Sequence, residues 1–308
     1  MRYITRVRKY DYKEMMKDSG KLLIKYPFLQ EEIIGASVLG RKLPLVRWGE
    51  GETSVLIVGA HHGNEWITSL LCMRFLEILC RELKDEKNAE YECLYKKASY
   101  YIVPMLNPDG VALSLHGLSS VPDYIKPHLI RANGGSENFI DRWQANASGV
   151  DLNHNYDAAF ESGRLLAAKK GILGPGPTRW SGSAPESEPE SAALALFTRR
   201  LMPQISVAYH SQGEVIYADF EGKATKEALK IAEKMSRLSG YLLDETRGVE
   251  SCSGYKDWII DKLHLPAYTV EVGLGVNPLP LSQFDKILKN NVEMLLFLGA
   301  GEKNSICS

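Results

Sequence analysis

The sequence predicts an α/β protein, a three-layer sandwich in which helices flank a mixed, mostly parallel central sheet. Three observations lead there. Short apolar, β-branched runs alternate along the chain with stretches whose apolar residues recur at helical spacing. No internal repeat, low-complexity tract or linker divides the 308 residues, a length that one large α/β domain fills. The polar residues best suited to chemistry fall at the ends of predicted strands, where open α/β sheets bind ligands. Residues 1–308 are therefore read as one domain, with 1–50 as an N-terminal helix and strand extension packed on it.

The elements follow in order. DYKEMMKDSGKLLIKYP reads as a helix that stops before Pro27, and SVLGRKLPLVRWG as a strand or hairpin. TSVLIVGA has the length of a buried strand. In EWITSLLCMRFLEILCREL, Ile67, Leu70, Leu71, Phe75, Ile78 and Leu79 share a helix face. HHGNE between them is thus a strand-to-helix turn. SYYIVPMLNPDG is a strand closed by an Asn-Pro-Asp-Gly turn signal. Residues 112–147 look irregular and polar, a long surface excursion beside a site. Residues 161–188 hold a Gly- and Pro-rich loop, after which ESEPESAALALFTRRL starts a helix with glutamates at its positive end. ISVAYHSQ is a third strand, ATKEALKIAEKMSRLSG a helix capped by Gly240, AYTVEVG a fourth strand, and LSQFDKILKNNVEMLLFLGA a closing helix.

Composition narrows the function classes. Hydrophobic residues make up 44% of the chain, enough for a sizeable core, and the net charge of −1 argues against a general nucleic-acid or membrane-surface binder. The five cysteines are odd in number, irregularly spaced and without a CxxC pair, which speaks against a disulfide framework or a thiolate zinc site. Cys72 and Cys80 fall in an apolar helical pattern as buried thiols. The start, MRYITRVRKYDYKEMM, lacks the apolar core of a signal peptide, and no run approaches the roughly 18 apolar residues of a membrane span. The expected location is cytoplasmic, with reduced cysteines.

Chemistry concentrates in GAHHGNEW, residues 59–66. His62 and Glu65 are three apart, so one helical turn sets both on one side. His210, at another strand end, completes a His₂Glu donor set of the kind that holds catalytic zinc with a position left open for water. HxxE alone is a weak signal, because a helix start welcomes a glutamate anyway. Glu271, near the end of TVEVG, is a candidate base for such a site, although a strand-end carboxylate also serves in an ordinary salt bridge. His61 reads as a neighbour that orients the loop, His116 and His128 as exposed, and His264 as a helix-end residue. Asp151 is a candidate to hold a ligand histidine by its other N–H, or else a turn residue capping its own backbone.

HHGNEWIT, NPDG, GVDLNHNYD, SGSAPESEPE, YHSQG, GYKDW and YTVEVG occur in this order. Together they resemble the zinc carboxypeptidases, the carboxypeptidase A-like metallopeptidases, over about residues 35–295. GVDLN, YHSQGE, GYKDW and the start YPFLQEEIIGASVLGRKLP are most similar to the bacterial branch of γ-D-glutamyl-L-diamino acid (diaminopimelate) endopeptidases. The resemblance implies one Zn²⁺ per chain held by His62, Glu65 and His210. It implies Glu271 as general base and acid, and a small muropeptide-like peptide as substrate, with neither nucleic acid nor membrane as partner. The oligomeric state is not readable.

The resemblance also exposes departures. The family's oxyanion-stabilising arginine aligns with Gln144 in DRWQAN, with Arg142 two residues before it. A glutamine donates a hydrogen bond but brings no charge. Of the asparagine–arginine pair that grips a substrate carboxylate, Asn153 is kept and the arginine is His154, so the bidentate clamp is lost. Lys256 aligns near the base of the pocket beyond the cut bond, where a cation suits an anionic side group such as the second carboxylate of diaminopimelate, although spacing alone favours a solvated lysine. Tyr255 is a candidate cover for bound substrate and Arg247 a further anion contact. These departures keep two alternatives open: a carboxypeptidase or N-acyl amino acid deacylase for an acidic substrate, and a zinc-binding protein without catalysis.

Overall fold

The computed structural model describes residues 3–245 and 248–301, with only the backbone at 249 and 250. It begins with α1 (Tyr12–Lys25), started by the Asp11 carboxylate, which accepts the Glu14 amide at 2.9 Å. β1 (Gln30–Ala36) and β2 (Lys42–Trp48) form an antiparallel hairpin. β3 (Thr53–Val58) leads into α2 (Ile67–Lys84), and α3 (Ala89–Lys97) into β4 (Ala98–Val103). Next come α4 (Pro108–His116), α5 (Lys126–Ala132), α6 (Phe160–Lys169) and α7 (Pro189–Leu201). β5 (Ile205–His210), β6 (Val215–Tyr217), α8 (Lys226–Ser239) and β7 (Leu242–Asp244) follow. α9 (Tyr255–Trp258), β8 (Ala267–Glu271) and α10 (Phe284–Ala300) close the chain.

Among the described residues the strands form one sheet in the order β1-β2-β4-β3-β5-β8-β6-β7. The central four, β4, β3, β5 and β8, run parallel, while β1 and β2 join antiparallel on one side and β6 pairs antiparallel with β8 on the other. Alternation splits the strand residues between two cores. Val55, Ile57, Tyr100, Ile102, Val207 and Tyr209 face the core shared with α1, α2, α3, α8 and α10. Leu56, Val58, Val103 and Ala208 face the other, with Leu194 and Phe197 of α7 and Trp258 of α9. This is the expected three-layer sandwich with a mixed, mostly parallel sheet. The strand order reverses at β3, whose successor β4 lies on one side and β5 on the other, so a crevice opens at the carboxyl ends of β3 and β5.

Several local expectations change. Residues 112–147 are not a polar excursion. α4 and α5 cross them, and Leu113, Val121, Leu129, Phe139, Trp143 and Ala145 bury one another in a satellite core. NPDG is a helix start as well as a turn: Asn107 caps α4 by accepting the Gly110 amide at 2.8 Å, and Pro108 sits in the first turn. The supposed loop 161–188 begins with α6, whose buried face is Phe160, Gly163 and Ala167, too small a set to register as an apolar stripe. The short edge strands β6 and β7 carry no sequence signal of their own. Cys72 and Cys80 are buried as expected and burial pushes both thiols up, and among the described residues no two cysteines form a disulfide. Among the described residues no helix is long and apolar enough to cross a membrane.

Candidate metal centre

The site grows from the end of β3. Gly59 donates to the Val103 carbonyl (2.9 Å), and Leu106 and Asn107 donate back to the Gly59 and Ala60 carbonyls (both 3.0 Å), stitching this turn to the one after β4. Gly63 is required there, since a Cβ would lie 2.4 Å from the Gly110 backbone and 2.7 Å from the Trp143 carbonyl. Gly63–Glu65 form one tight helical turn, with the Glu65 amide on the His62 carbonyl at 3.2 Å. Thr68 pins it by accepting the Ala60 amide and donating to the Glu65 carbonyl, both at 2.8 Å.

His62 and Glu65 thus face the crevice, and His210 meets them from the end of β5. The donor atoms of these three lie within 4.8 Å of one another. His62 Nδ1 is 2.9 Å from Glu65 Oε1, His210 Nδ1 is 3.1 Å from Glu65 Oε2, and the two Nδ1 atoms are 3.3 Å apart. Without a cation, a ring N–H must sit among these atoms to keep the contacts attractive; a divalent ion would take its place by accepting both Nδ1 lone pairs and the carboxylate. His62 Nε2 meets Asp151 Oδ1 at 3.0 Å, the contact that orients a metal-bound imidazole. The residues fit a divalent metal of the zinc type, which His62, His210 and Glu65 would hold.

The electrostatics agree. Burial opposes charge on His62, yet the carboxylates of Glu65 and Asp151 outweigh it and raise the imidazole well above its ordinary value. Burial likewise opposes ionisation of Glu65 and Asp151. The imidazoles of His62 and His210 pull Glu65 down to about 2, and those of His62 and His154 hold Asp151 well below the usual carboxylate range. The pocket is thus built around a positive charge. A divalent cation would supply it and release the proton from His62. Glu271 sits opposite, paired across the parallel strands with His210. Burial first, and repulsion from Glu65 second, raise its carboxyl well above the usual range, with His62 partly offsetting them.

The surrounding residues divide. Asp151 does both things expected of it: Oδ1 meets His62 and also accepts the Asn153 amide at 3.2 Å, capping its own turn. Gln144 stands beside the ligand turn, its carbonyl accepting the Gly63 amide at 2.8 Å, whereas Arg142 is exposed two residues away. Asn153 Oδ1 accepts the Tyr255 amide (3.1 Å) and His154 Nδ1 lies 3.0 Å from the Cys252 carbonyl, so both fix the 252–255 segment. Lys256 is only 3% exposed. It is no solvated lysine: Nζ donates to the Asp219 carbonyl at 2.6 Å and to the Asp257 carboxylate. Tyr255 does not cover the crevice. It is 1% exposed, its hydroxyl lies 2.7 Å from Thr198 Oγ1, and its ring tilts against His61 at 5.5 Å, so it is packing beneath the site. Arg247 lies outside the described residues.

His61 stands outside the donor triangle. It is fully buried and its ring stacks on His210 at 5.2 Å, with the Tyr156 hydroxyl 3.4 Å from Nε2. Burial, then the neighbouring imidazoles, keep it well below its ordinary pKa. Sequence reasoning missed Ser211 and Asn277. The Ser211 amide donates to Glu65 Oε2 at 3.2 Å, and Asn277 Nδ2 donates to the Ser211 carbonyl and reaches Glu65 Oε1 at 3.4 Å. The signal for Ser211 was its position directly after His210 at the end of β5, whereas Asn277, in the loop beyond β8, carried none. It also missed Arg179, whose amide donates to Asp151 Oδ2 at 2.8 Å.

Comparison with known proteins agrees with this geometry. Residues 17–294 match the model of the zinc carboxypeptidase family. The chain is 38% identical to a γ-D-glutamyl-L-diamino acid endopeptidase of Lysinibacillus sphaericus, over 96% of this chain and 73% of that protein. In fold it is similar to bovine thrombin-activatable fibrinolysis inhibitor, with a TM-score of 0.72 at 19% identity over 97% of this chain and 98% of that one. It is also similar to the murein-tripeptide amidase MpaA of Escherichia coli O157, with a TM-score of 0.55 at 22% identity over 89% and 93% of the two chains. The family match over residues 17–294 and the 38% identity to the endopeptidase show that the chain belongs to the zinc carboxypeptidase family, as a metallopeptidase hydrolase.

Proposed function

We propose that this chain is a zinc-dependent amidase of peptidoglycan-derived peptides that cuts the γ-D-glutamyl–diaminopimelate bond. The observation that carries the reading is its likeness, along nearly the whole chain, to a γ-D-glutamyl-L-diamino acid endopeptidase. His62, Glu65 and His210 would hold one zinc ion, which would supply a Lewis acid for the scissile carbonyl and lower the pKa of water.

The chain's own residues do the rest. Glu271 accepts a proton from the attacking water at its carboxylate and hands it to the leaving amine. A carboxyl raised by burial and by Glu65 suits both halves of that task. Gln144, beside the ligand turn, donates a neutral hydrogen bond to the oxygen that gains charge, with exposed Arg142 available behind it. Asn153 and His154 line the crevice next to Asp151 and contact the peptide. Lys256 presents its remaining N–H to the diamino acid, with most of its charge answered by Asp257. Asp151 keeps His62 turned toward the ion.

The test is mass spectrometry of muropeptide tri-, tetra- and pentapeptides after incubation with the zinc-loaded protein. Cleavage at the γ-glutamyl bond is expected. Loss of a C-terminal residue alone would make the chain a carboxypeptidase instead, and no cleavage of any peptide would favour a zinc-binding protein without catalysis.

A further inference from the structure

Glu65 is only 3% exposed, and a carboxylate so buried needs donors on its oxygens. Oε1 meets His62 Nδ1 and Asn277 Nδ2, at 2.9 and 3.4 Å. Oε2 meets His210 Nδ1 and the Ser211 amide, at 3.1 and 3.2 Å. An ion held here would engage both imidazoles. Among the described residues, the hydrogen-bond donors then left on the carboxylate are the N–H groups of Asn277 and Ser211, one to each oxygen. The second belongs to the backbone, and the first is a side chain.

The Asn277 carboxamide has one orientation open to it. Oδ1 accepts the Ser211 hydroxyl at 2.8 Å, while Nδ2 donates to the Ser211 carbonyl. Turning the amide over would set two carbonyl oxygens face to face. One N–H of Nδ2 is therefore taken by Ser211 and the other is kept for Glu65.

Asn277 also closes a seam. It lies in the loop beyond β8, the strand that ends in Glu271. The Val272 amide donates to the His210 carbonyl at 2.9 Å, the Gly213 amide to the Gly273 carbonyl at 2.8 Å, and the Gly275 amide to Gln212 Oε1 at 3.2 Å. The segments that follow His210 and Glu271 are thus joined at successive points, and at Asn277 the seam reaches a metal-ligating side chain. Gln283 holds the same loop from its outer side. Its carboxamide accepts the Leu274 amide at 3.0 Å and donates to the Leu274 carbonyl at 2.7 Å, bonds that bypass Glu65.

We propose that Asn277 is a positioning residue of the metal centre. Its carboxamide holds Glu65 Oε1, fixes how that carboxylate faces the ion, and ties the ligand side of the crevice to the strand that carries Glu271. This rests on the reading of His62, Glu65 and His210 as the zinc ligands. An N–H on a ligating carboxylate is a hydrogen bond to a charged acceptor, and losing such a partner costs about 10–100-fold in metal affinity.

The test compares wild type with Asn277→Ala and with Gln283→Ala, which loosens the loop but leaves Glu65 its donor. Asn277 is half-buried in a loop, so its truncation leaves the core intact, and Tm monitors folding. Zinc affinity is read by chelator competition, and the visible spectrum after cobalt substitution reports the ligand field. Asn277→Ala should bind zinc about 10–100-fold more weakly and shift the cobalt bands. Gln283→Ala should lower Tm alone. On any peptide that the wild type cleaves, kcat of Asn277→Ala at saturating zinc should fall with KM little changed, since Asn277 positions other groups and does not bind substrate. Wild-type affinity with an unshifted cobalt spectrum in Asn277→Ala overturns the proposal. So does a Gln283→Ala variant that reproduces its losses, which would make loop stiffness the cause. A wild type that takes up neither metal overturns the reading of the metal centre and the proposal with it.

Discussion

The carboxylate of Asp151 and the imidazole of His62 meet at 3.0 Å across 89 residues of sequence. That contact turns the Nδ1 of His62 toward Glu65 and His210. Replacing Asp151 by Asn should leave the fold intact and weaken zinc binding by about 10–100-fold, the usual effect of losing a carboxylate behind a ligand histidine. Competition with a chromogenic chelator measures it.

The two adjacent histidines should separate cleanly. His62→Ala removes a donor from the triangle and should abolish stoichiometric zinc, read by elemental analysis. His61→Ala removes a ring stacked behind His210 and should keep the metal while costing about 2 kcal/mol of stability from the void it leaves. Equal loss of zinc from both variants would contradict the assignment of His62 alone.

Glu271→Gln should bind zinc as wild type does, because Glu271 is outside the donor triangle. Its kcat should fall by about 10²–10⁴, the span of a lost general base. Undiminished hydrolysis would remove Glu271 from the mechanism.

A pH effect on stability arises away from the metal. Glu190 is fully buried, accepting the Val38 and Asn146 N–H groups, both at 3.1 Å. Burial, aided by repulsion from Asp109, raises its carboxyl from 4.5 to about 8 against these hydrogen bonds. Between those values the folded state holds a proton that the unfolded chain has released, so this contribution to stability falls as pH rises. It is complete below about 4.5 and lost above about 8. Glu190→Gln mimics the neutral acid. Its Tm relative to wild type should therefore climb steadily from pH 5 to pH 9, and a difference independent of pH would show Glu190 ionised throughout.

Removing the metal should be reversible. The donor set is preformed by β3 and β5, so chelation should abolish hydrolysis without unfolding the chain, and added zinc should restore it. The metal-free protein should melt lower, by an amount that grows with the logarithm of free zinc. Unfolding on chelation would mean that the metal, rather than the sheet, assembles the triangle.

Much was legible because it is local. The central strands announce themselves as apolar, β-branched runs. His62 and Glu65 share a turn because three residues make one. α4 and α6 were not legible: the Asn-Pro-Asp-Gly signal fits a turn and a helix cap equally, and Gly163 and Ala167 carry too little apolar surface to mark a buried face. β6 and β7 are three residues each and exist because β8 offers an edge to β6, and β6 one to β7. Lys256 read as solvated on spacing alone, yet it is buried on Asp257, an outcome that depends on where α9 docks.

By itself, then, the sequence determined the fold class and set His62 one turn from Glu65, since periodicity and short spacings act within a few residues, while His210 and Glu271 were singled out through the resemblance to a known family. Only the tertiary structure decided which groups surround them. Asp151, Ser211 and Asn277 reach His62 and Glu65 from far along the chain, and no spacing rule spans that distance. They meet because the strand order reverses at β3, which opens the crevice. Buried charges left there must then find partners from whichever loops the sheet brings to that edge.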